Sequence, residues 1–529
     1  MLFLISSTGS ANAFEVDPEL LKKVKLVQED GETIVEVSMA GLLSLALERS
    51  TIVDMLEINK QIAEETLAAA REMYNPVFST SIGLSRNVSV TGTNLSGGVY
   101  GSFGTTGPAG YLVPALSPFL NFRAADSTAL SATWSKKLTT GITYQLIYQK
   151  ISQTTSQASL ESEDDTFESW SKVDDPLYID NLSAAVNIPI FQDWGEINRF
   201  PEFQSEIALS QNEMQSRKSK LELLNLIANI YWDLVGVQQN IQTLESSIKL
   251  AEQFLVDTQT RHRMGVLDII EVKQSESRLA AVKQSKLLEV FKKSQIEDQI
   301  RAALNLSDLP YGYKATEKMR IRHSIPNFQS LLSVIYQKNN DIQLLDSAVQ
   351  LNELSKKVAE NKAEPDLDIS LVYQMNGYGK DFTKASGRLS ESKLHNYQVG
   401  LNWQIPLFDK VTPQKISQAA LERSRLNLQI ENQKSQLKVE LQAILRNLKL
   451  TIQGIKLAQN TVALVEELLR KETEKFNLGN NTSFRISQVQ QDLTDARKNE
   501  ILARIQYEKA YLALLVITET IFPTYQLNG

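Results

Sequence analysis

The 529 residues contain no cysteine, and only three are histidine: His262, His323 and His395. The first absence excludes disulfides, thiolate metal sites, cysteine nucleophiles and a lipid anchor carried on an N-terminal cysteine. The histidines lie far apart in sequence, so no His-rich metal or catalytic cluster is expected. No glycine-rich phosphate loop or nucleophile elbow occurs, and enzymatic chemistry, a cofactor and a resident metal are not expected. Positive charge is also short. With 55 basic against 62 acidic residues the formal net charge is −7, which gives the chain as a whole no attraction to nucleic acid or anionic lipid. Long hydrophobic runs are missing, since no stretch approaches the roughly 20 apolar residues a membrane helix needs. If the chain crosses a bilayer, it does so with strands.

A short apolar run stands at the start, MLFLISSTGSANAFEV, where Ala11-Asn12-Ala13 has the small-residue pattern of a signal-peptidase site. Residues 1–13 are read as a signal peptide remnant. The basic start of such a peptide is missing, so the alternatives are a true start further upstream or an ordinary apolar N-terminus.

Two kinds of segment alternate in the remainder, separable by hydrophobic period. A seam of 3- and 4-residue steps runs through Leu234, Val237, Ile241, Leu244, Ile248, Ala251 and Leu255 in a helix over about 196–262. It returns over 413–477 at Leu437, Leu441, Ile444, Leu448, Thr451, Ile455, Ala458, Val462, Val465 and Leu469. Beyond Gly479 it resumes as Val489, Leu493 and Ala496, is interrupted by Glu500, and continues through Ala503, Tyr507, Ala510, Leu514 and Ile517. Helices of this length extend roughly 100 Å at about 1.5 Å per residue, too long for one compact domain. The other segments alternate apolar and polar residues: 77–90, 182–190, Leu367 to Met375, and Tyr397 to Ile405. A hairpin over 128–149 turns at Leu138-Thr139-Thr140-Gly141. The Gly/Ser-rich 91–109 and the acidic 161–175 read as solvated loops, and whether 91–175 adds strands is open. Trp134, Tyr144, Tyr148, Tyr397 and Trp403 are candidates for an aromatic girdle or for ordinary core.

The order of elements repeats. Ile188-Pro189-Ile190-Phe191 returns as Ile405-Pro406-Leu407-Phe408, Met264-Gly265 as Leu478-Gly479, and Asn75-Pro76 as Glu364-Pro365. The division expected is a first repeat over 14–304, with strands about 77–190 and long helices about 196–304. A connector follows over 305–328. The second repeat covers 329–522, with strands about 366–406 and long helices about 410–520, and a tail covers 523–529. Gly265 and Gly479 fit the left-handed residue that closes a helix C-terminus, so each marks the tip of a long helical hairpin. Asp268 with Glu271 forms a capping-box start for the next helix, and Thr482 or Ser483 caps its counterpart. Such hairpins with strands attached leave open seams and sheet edges. Membrane strands must close a barrel, and too few are present in one chain, so several copies must share one. An α+β membrane protein follows, internally duplicated, with long α-helical hairpins and strands contributing to a shared β-barrel.

With the junctions NIPIFQDWG and NWQIPLFDK and the tips RMGVLD and FNLGNN in this order, the chain resembles the outer membrane efflux protein family, the TolC-like channels. The resemblance implies a homotrimer with its barrel in the lipid of a Gram-negative outer membrane and an α-helical tunnel extending into the periplasm. It implies a passive exit duct of a tripartite efflux or type I secretion system, partnered by a periplasmic adaptor and an inner-membrane transporter. It implies adaptor docking at Met264, Gly265, Val266, Leu267, Leu478, Gly479 and Asn480. The family's lumenal acidic ring aligns with Arg485 and Gln488, and its restraining tyrosine and arginine align with Phe476 and Asn481. No acidic ring is therefore expected. Glu271 aligns with an acidic restraint partner, and Arg485 is expected either to pair with Glu271 or Asp268 or to be a solvated helix residue. A secreted coiled-coil scaffold or adhesin without a pore is the alternative, and it leaves the duplicated strand regions without a purpose. The cargo, the particular adaptor and the ion selectivity are not legible.

Overall fold

The structure is a computed structural model of one chain. It describes residues 25–29, 32–90, 120–161, 166–167, 170–173, 175–305, 312–321, 326–391, 393–405 and 407–527. The expected signal segment 1–13, the loop 91–109, Pro406 and residues 162–165, 168–169 and 174 of the acidic run 161–175 lie outside these residues, as do parts of the connector and of the tail. The first elements are β1 (Lys25–Glu29), β2 (Glu32–Val37), α1 (Met39–Arg49), α2 (Thr51–Glu72), β3 (Val77–Val90), β4 (Leu120–Lys137) and β5 (Thr143–Glu161). Next come β6 (Thr166–Phe167), β7 (Ser171–Lys172), β8 (Leu177–Pro189), a 3-10 turn at Gly195–Arg199, α3 (Phe200–Arg263), α4 (Ile269–Ala303) and β9 (Gly312–Ala315). The remainder is α5 (Phe328–Lys338), α6 (Asn340–Asn361), β10 (Asp366–Gly379), α7 (Phe382–Ser390), β11 (His395–Gln404), α8 (Val411–Asn477), α9 (Ser483–Ile517) and α10 (Ile521–Thr524).

Compactness divides the chain differently from the sequence repeat. One unit comprises Met1–Glu64, Ile207–Gln350 and Ser424–Gly529, and the other Glu65–Glu206 and Leu351–Arg423, so each unit draws on both repeats.

In the helical unit the seams are buried. Leu234, Leu244, Leu441, Ile455, Val489 and Tyr507 all pack inside. Glu500, the interruption, turns to Arg504 one turn on, at 2.6 Å. Two apolar clusters form. One joins α1, α3, α9 and α10 around Leu42, Leu224, Ile227, Tyr231 and Phe522. The other joins α5, α8 and α9 around Ile335, Leu441, Leu448 and Leu514. The first also covers a small sheet absent from the sequence reading, in which β1 pairs antiparallel with β2 and β2 pairs parallel with β9 of the connector. Gln238 holds β9 from α3, donating to the Tyr313 carbonyl at 2.9 Å and accepting from the Ala315 N–H at 3.2 Å. Glu317 accepts from the Met39 N–H at 2.8 Å, placing a carboxylate at the start of α1, and also accepts from the hydroxyl of buried Tyr231. Burial pushes that carboxyl above its usual range.

The other unit carries an antiparallel sheet whose path is β11-β10-β8-β5-β4-β3. The hairpin turn at 138–141 is present, closed by Leu138 N–H to the Ile142 carbonyl at 2.8 Å, with Gly141 at φ +98°. Its strands are much longer than the stretch read from sequence, so residues 120–137 and 143–161 do add strands. The run read as a loop over 161–175 also contributes, since the short strands β6 and β7 pair with the far end of β5.

Leu441 is fully buried where α8 meets the second cluster. Leu441→Ala is expected to destabilise the helical unit by about 2–5 kcal/mol through lost contacts and a residual cavity. Thermal unfolding followed by helical circular dichroism measures it, with a lowered Tm as the expected result.

Candidate functional site: helical tips and a two-faced sheet

The two tips are built alike. In the first, Gly265 lies at φ +73°, its N–H donates to the His262 carbonyl at 2.8 Å, and the Val266 N–H donates to the Arg261 carbonyl at 2.9 Å. In the second, Gly479 lies at φ +76°, its N–H donates to Phe476 at 3.0 Å, and Asn480 donates to Lys475 at 2.9 Å. This paired closure satisfies carbonyls that the helix end would leave orphaned, and it requires a left-handed residue. Nothing lies within 4 Å of a Cβ built on either glycine, so the requirement is backbone conformation rather than space. The following helices are capped as expected, by Asp268 accepting from the Ile270 N–H at 2.9 Å and by Thr482 accepting from Arg485 N–H. Of the tip residues, Met264, Gly265, Val266, Leu478, Gly479 and Asn480 are exposed, and Leu267 is half-buried with its carbonyl 2.7 Å from His262 Nδ1. Apolar side chains at Met264, Val266, Ile270, Leu478 and Phe484 therefore face outward at the reversals.

The residues aligned with a constriction separate into two groups. Glu271 does not close a capping box. Its carboxylate accepts from the Ser483 N–H at 2.5 Å, the first N–H of α9, so one hairpin grips the helix start of the other. Phe476 is only 2% exposed; it packs on Phe254 at 5.2 Å between centroids and under the Arg261 guanidinium at 5.0 Å. Arg261 also donates to Asn477 Oδ1 at 2.8 Å. Asn481 donates to Glu472 at 2.8 Å. Arg485 and Gln488 are exposed. Among the described residues Arg485 forms no ion pair with Glu271 or Asp268, because both carboxylates are engaged by helix-start N–H groups. Gln488 bonds Asp492 at 3.1 Å along its own helix.

Behind the tips the helices meet through polar contacts that the apolar seam conceals in sequence. Thr258 donates to Ser275 at 3.3 Å, Ser247 and Thr494 share a bond of 3.0 Å, and Arg278 bonds Gln491 and Thr494. Lys498 reaches buried Glu289 at 3.5 Å. Burial pulls the Arg278 guanidinium below its ordinary value. Neither Arg278 nor Arg261 stood out in the sequence as a cross-helix group. Their spacing is that of any charged helix face, and only the packing brings their partners near.

The sheet has two chemically distinct faces. Directly opposed residues in an antiparallel ladder share a face. Following the pairs Phe78–Trp134, Trp134–Leu146, Leu146–Ala184, Ala184–Tyr373 and Tyr373–Tyr397 therefore traces one surface across six strands. That surface carries Ile82 and Leu84, Leu130, Tyr144 and Tyr148, Leu182 and Val186, Ile369 and Leu371, and Val399, Leu401 and Trp403. Much of it is open: Ile82 is 76% exposed, Leu401 69% and Tyr397 79%. The opposite surface carries Ser79, Ser81, Ser127, Ser131, Gln145, Gln149, Asn181, Gln374, Gln398 and Asn402. An exposed apolar surface of this extent has no place in water.

The aromatic residues also encode a slant. Phe78 and Trp403 lie near strand ends that continue into helices, and Trp134 and Tyr144 lie beside the hairpin turn at the same end of the sheet. The hydrogen-bonded line from Phe78 reaches Tyr397, six residues short of Trp403 on the same strand. A shift of six residues over five strand steps corresponds to a strand tilt of about 40°, the tilt of a closed barrel. Along β10 the apolar run from Leu367 to Met375 extends about 26 Å, or about 20 Å in height at that tilt, close to the band of a membrane barrel.

Comparison with known proteins agrees with these features. Residues 335–518 match the family model described as Outer membrane efflux protein. The chain is 18% identical over 347 residues to the outer membrane protein TolC of Vibrio cholerae serotype O1, covering 64% of this chain and 77% of that protein. Among solved structures, the outer membrane protein VceC of Vibrio cholerae superposes with a TM-score of 0.59 at 14% identity, covering 91% of this chain and 95% of that one. The open state of the MtrE outer membrane channel of Neisseria gonorrhoeae gives 0.60 at 14% identity, covering 91% and 88%. The likeness to the outer membrane efflux protein family therefore lies on the second repeat, and over nine-tenths of its length the chain has the TolC-like α+β fold.

Proposed function

We propose that three copies of this chain form an outer membrane channel that serves as the passive exit duct of a tripartite efflux or type I secretion system. The two-faced sheet carries this reading. Its apolar face suits lipid, its polar face suits a water-filled lumen, and among the described residues β3 and β11 are left as edges with unpaired backbone groups. Such edges are untenable in a bilayer unless closed. Pairing β11 of one copy with β3 of the next closes them, and three copies of six strands give an 18-strand barrel, wide enough for an aqueous channel. A pore-free scaffold or adhesin leaves the apolar face exposed to water. The outer membrane location follows from the family.

In the helical unit α8 keeps Leu450, Leu457 and Leu464 exposed at seven-residue steps, and α4 keeps Leu287, Leu288 and Phe291 exposed. These stripes suit the flanks of neighbouring copies packed as a coiled-coil cylinder. Each repeat, 14–304 and 329–522, would supply one hairpin, with the connector 305–328 between them. The tips, with Met264, Val266 and Leu478 outward, form the docking surface for a periplasmic adaptor, which connects the duct to an inner-membrane transporter. Glu271 and Phe476 lock the hairpins together and Asn481 ties the second tip to its own helix, while Arg485 and Gln488 line the tip lumen.

The absence of native cysteine makes the shared barrel directly testable. Ser79→Cys on β3 combined with Asn402→Cys on β11 is expected to yield a disulfide-linked trimer on denaturing gels. Monomers alone, across pairs of Ser79 and Ser81 with Gly400, Asn402 and Gln404, sink the shared barrel. Met264→Glu with Leu478→Glu is expected to reduce adaptor cross-linking and efflux several-fold at unchanged single-channel conductance. Undiminished cross-linking removes the tips from the docking surface. Arg485→Glu is expected to raise cation preference in planar bilayers, and an unchanged preference places Arg485 outside the constriction.

A further inference from the structure

At the sheet end opposite the helix-bearing strand ends, the apolar face does not run out into loops. It is covered by α7, part of the turn from β10 to β11. Gly377 opposes Asp180 in the ladder, so both lie on the face of Leu182, Met375 and Tyr373. A Cβ on Gly377 would meet the Ala385 carbonyl at 2.0 Å, and one on Gly379 would meet Ala385 N at 2.7 Å. Only glycine lets the helix lie this close. Asp180, fully buried, accepts from Tyr148 at 3.1 Å and from Ser386 of α7, with Lys150 Nζ at 4.0 Å. Phe382 packs edge-on against Tyr178 at 4.6 Å, and Lys150 Nζ lies 5.5 Å from its ring.

The opposite side of α7 is exposed and carries Thr383, Lys384, Gly387 and Arg388. Arg388 is aimed by one bond, from its guanidinium to the Tyr378 carbonyl at 2.7 Å, and Lys384 lies 3.3 Å from Asp381. From Tyr378 to Leu394 four basic residues, Lys380, Lys384, Arg388 and Lys393, stand against two acidic ones, Asp381 and Glu391. Asp175, 3.8 Å from Lys380, adds a third carboxylate, so the patch keeps a local excess of one positive charge in a chain of net charge −7.

We infer that α7 is an interfacial collar that binds the phosphorylated headgroups of glycolipids in the outer leaflet. The inference rests on the proposed barrel, which puts this face toward lipid. A helix seated just beyond an apolar band, apolar side inward and basic side outward, lies at headgroup depth, where Lys and Arg meet phosphate. Guanidinium and ammonium groups are the side chains that bind phosphate oxygens with charge-assisted hydrogen bonds. Solvated turn residues would not need two glycines and a buried carboxylate to hold a helix against the wall.

The test uses the full-length assembly in detergent, with bisphosphorylated lipid A and its dephosphorylated form added separately and bound lipid counted by native mass spectrometry. Wild type is expected to retain the phosphorylated lipid preferentially, and Lys384→Glu with Arg388→Glu to weaken that retention roughly tenfold or more. Conductance of the variant in planar bilayers is expected to match wild type, which separates this proposal from the channel itself. If charge reversal prevents assembly, Lys384→Gln with Arg388→Gln replaces it, with a smaller loss in the same direction. Equal retention of both lipids by wild type, or undiminished retention of the phosphorylated lipid by an assembled variant, overturns the collar. Loss of conductance in wild type overturns the barrel instead.

Discussion

The antiparallel register of the six-strand sheet is the constraint on which the rest depends. Opposed residues share a face, so a single set of pairings sorts Phe78, Trp134, Tyr144, Leu371 and Trp403 to one side and Ser79, Gln145, Gln374 and Asn402 to the other. A slip of one residue in any strand would exchange its faces and place serine, asparagine and glutamine among the apolar side chains. Among the described residues β3 and β11 are left as the edges of that sheet by the same pairing. In lipid an unsatisfied N–H or C=O is intolerable, and in the proposed channel another copy of the chain closes these edges.

The helical unit solves a different problem, how to reverse a helix of more than sixty residues twice with the same chemistry. Both reversals use a glycine at positive φ and the same pair of backbone bonds, then an Asp or Thr that caps the next helix. Between the hairpins the contacts are mixed. Apolar seams dominate far from the tips, whereas Glu271 on Ser483, Arg278 on Thr494, and Arg261 over Phe476 dominate near them. Polar contacts of this kind are worth less to stability than apolar burial but are sharply directional. They fix the tip arrangement while leaving it the part of the unit with least apolar support.

Much of the fold was legible because period is a local property. Steps of 3 and 4 through Leu441 and Ile455, and steps of 2 through Leu367 to Met375, report which face a helix or strand buries regardless of what covers it. The turn at Gly141 and the tips at Gly265 and Gly479 were legible because left-handed backbone favours glycine. Less legible was anything set by partners distant in sequence. Glu271 reads as half of a capping box, yet it serves a helix start 212 positions away. Phe476, aligned with a restraint at the lumen, is buried between Phe254 and Arg261, partners that the sequence does not announce. The small sheet of β1, β2 and β9 joins segments some 280 residues apart, and no short window carries that signal.

By itself the sequence determined the alternation of long helices with strands, the duplication and the two glycine reversals. Each of these is carried by residue type and spacing along the chain. Only the tertiary structure decided that 120–137 and 143–161 join the sheet, that its apolar faces form one continuous surface, that Glu271 rather than Arg485 bridges the hairpins, and that α7 lies against the sheet. Those facts depend on which strand pairs with which and on how closely two backbones approach, quantities that arise from packing and leave no local period to read.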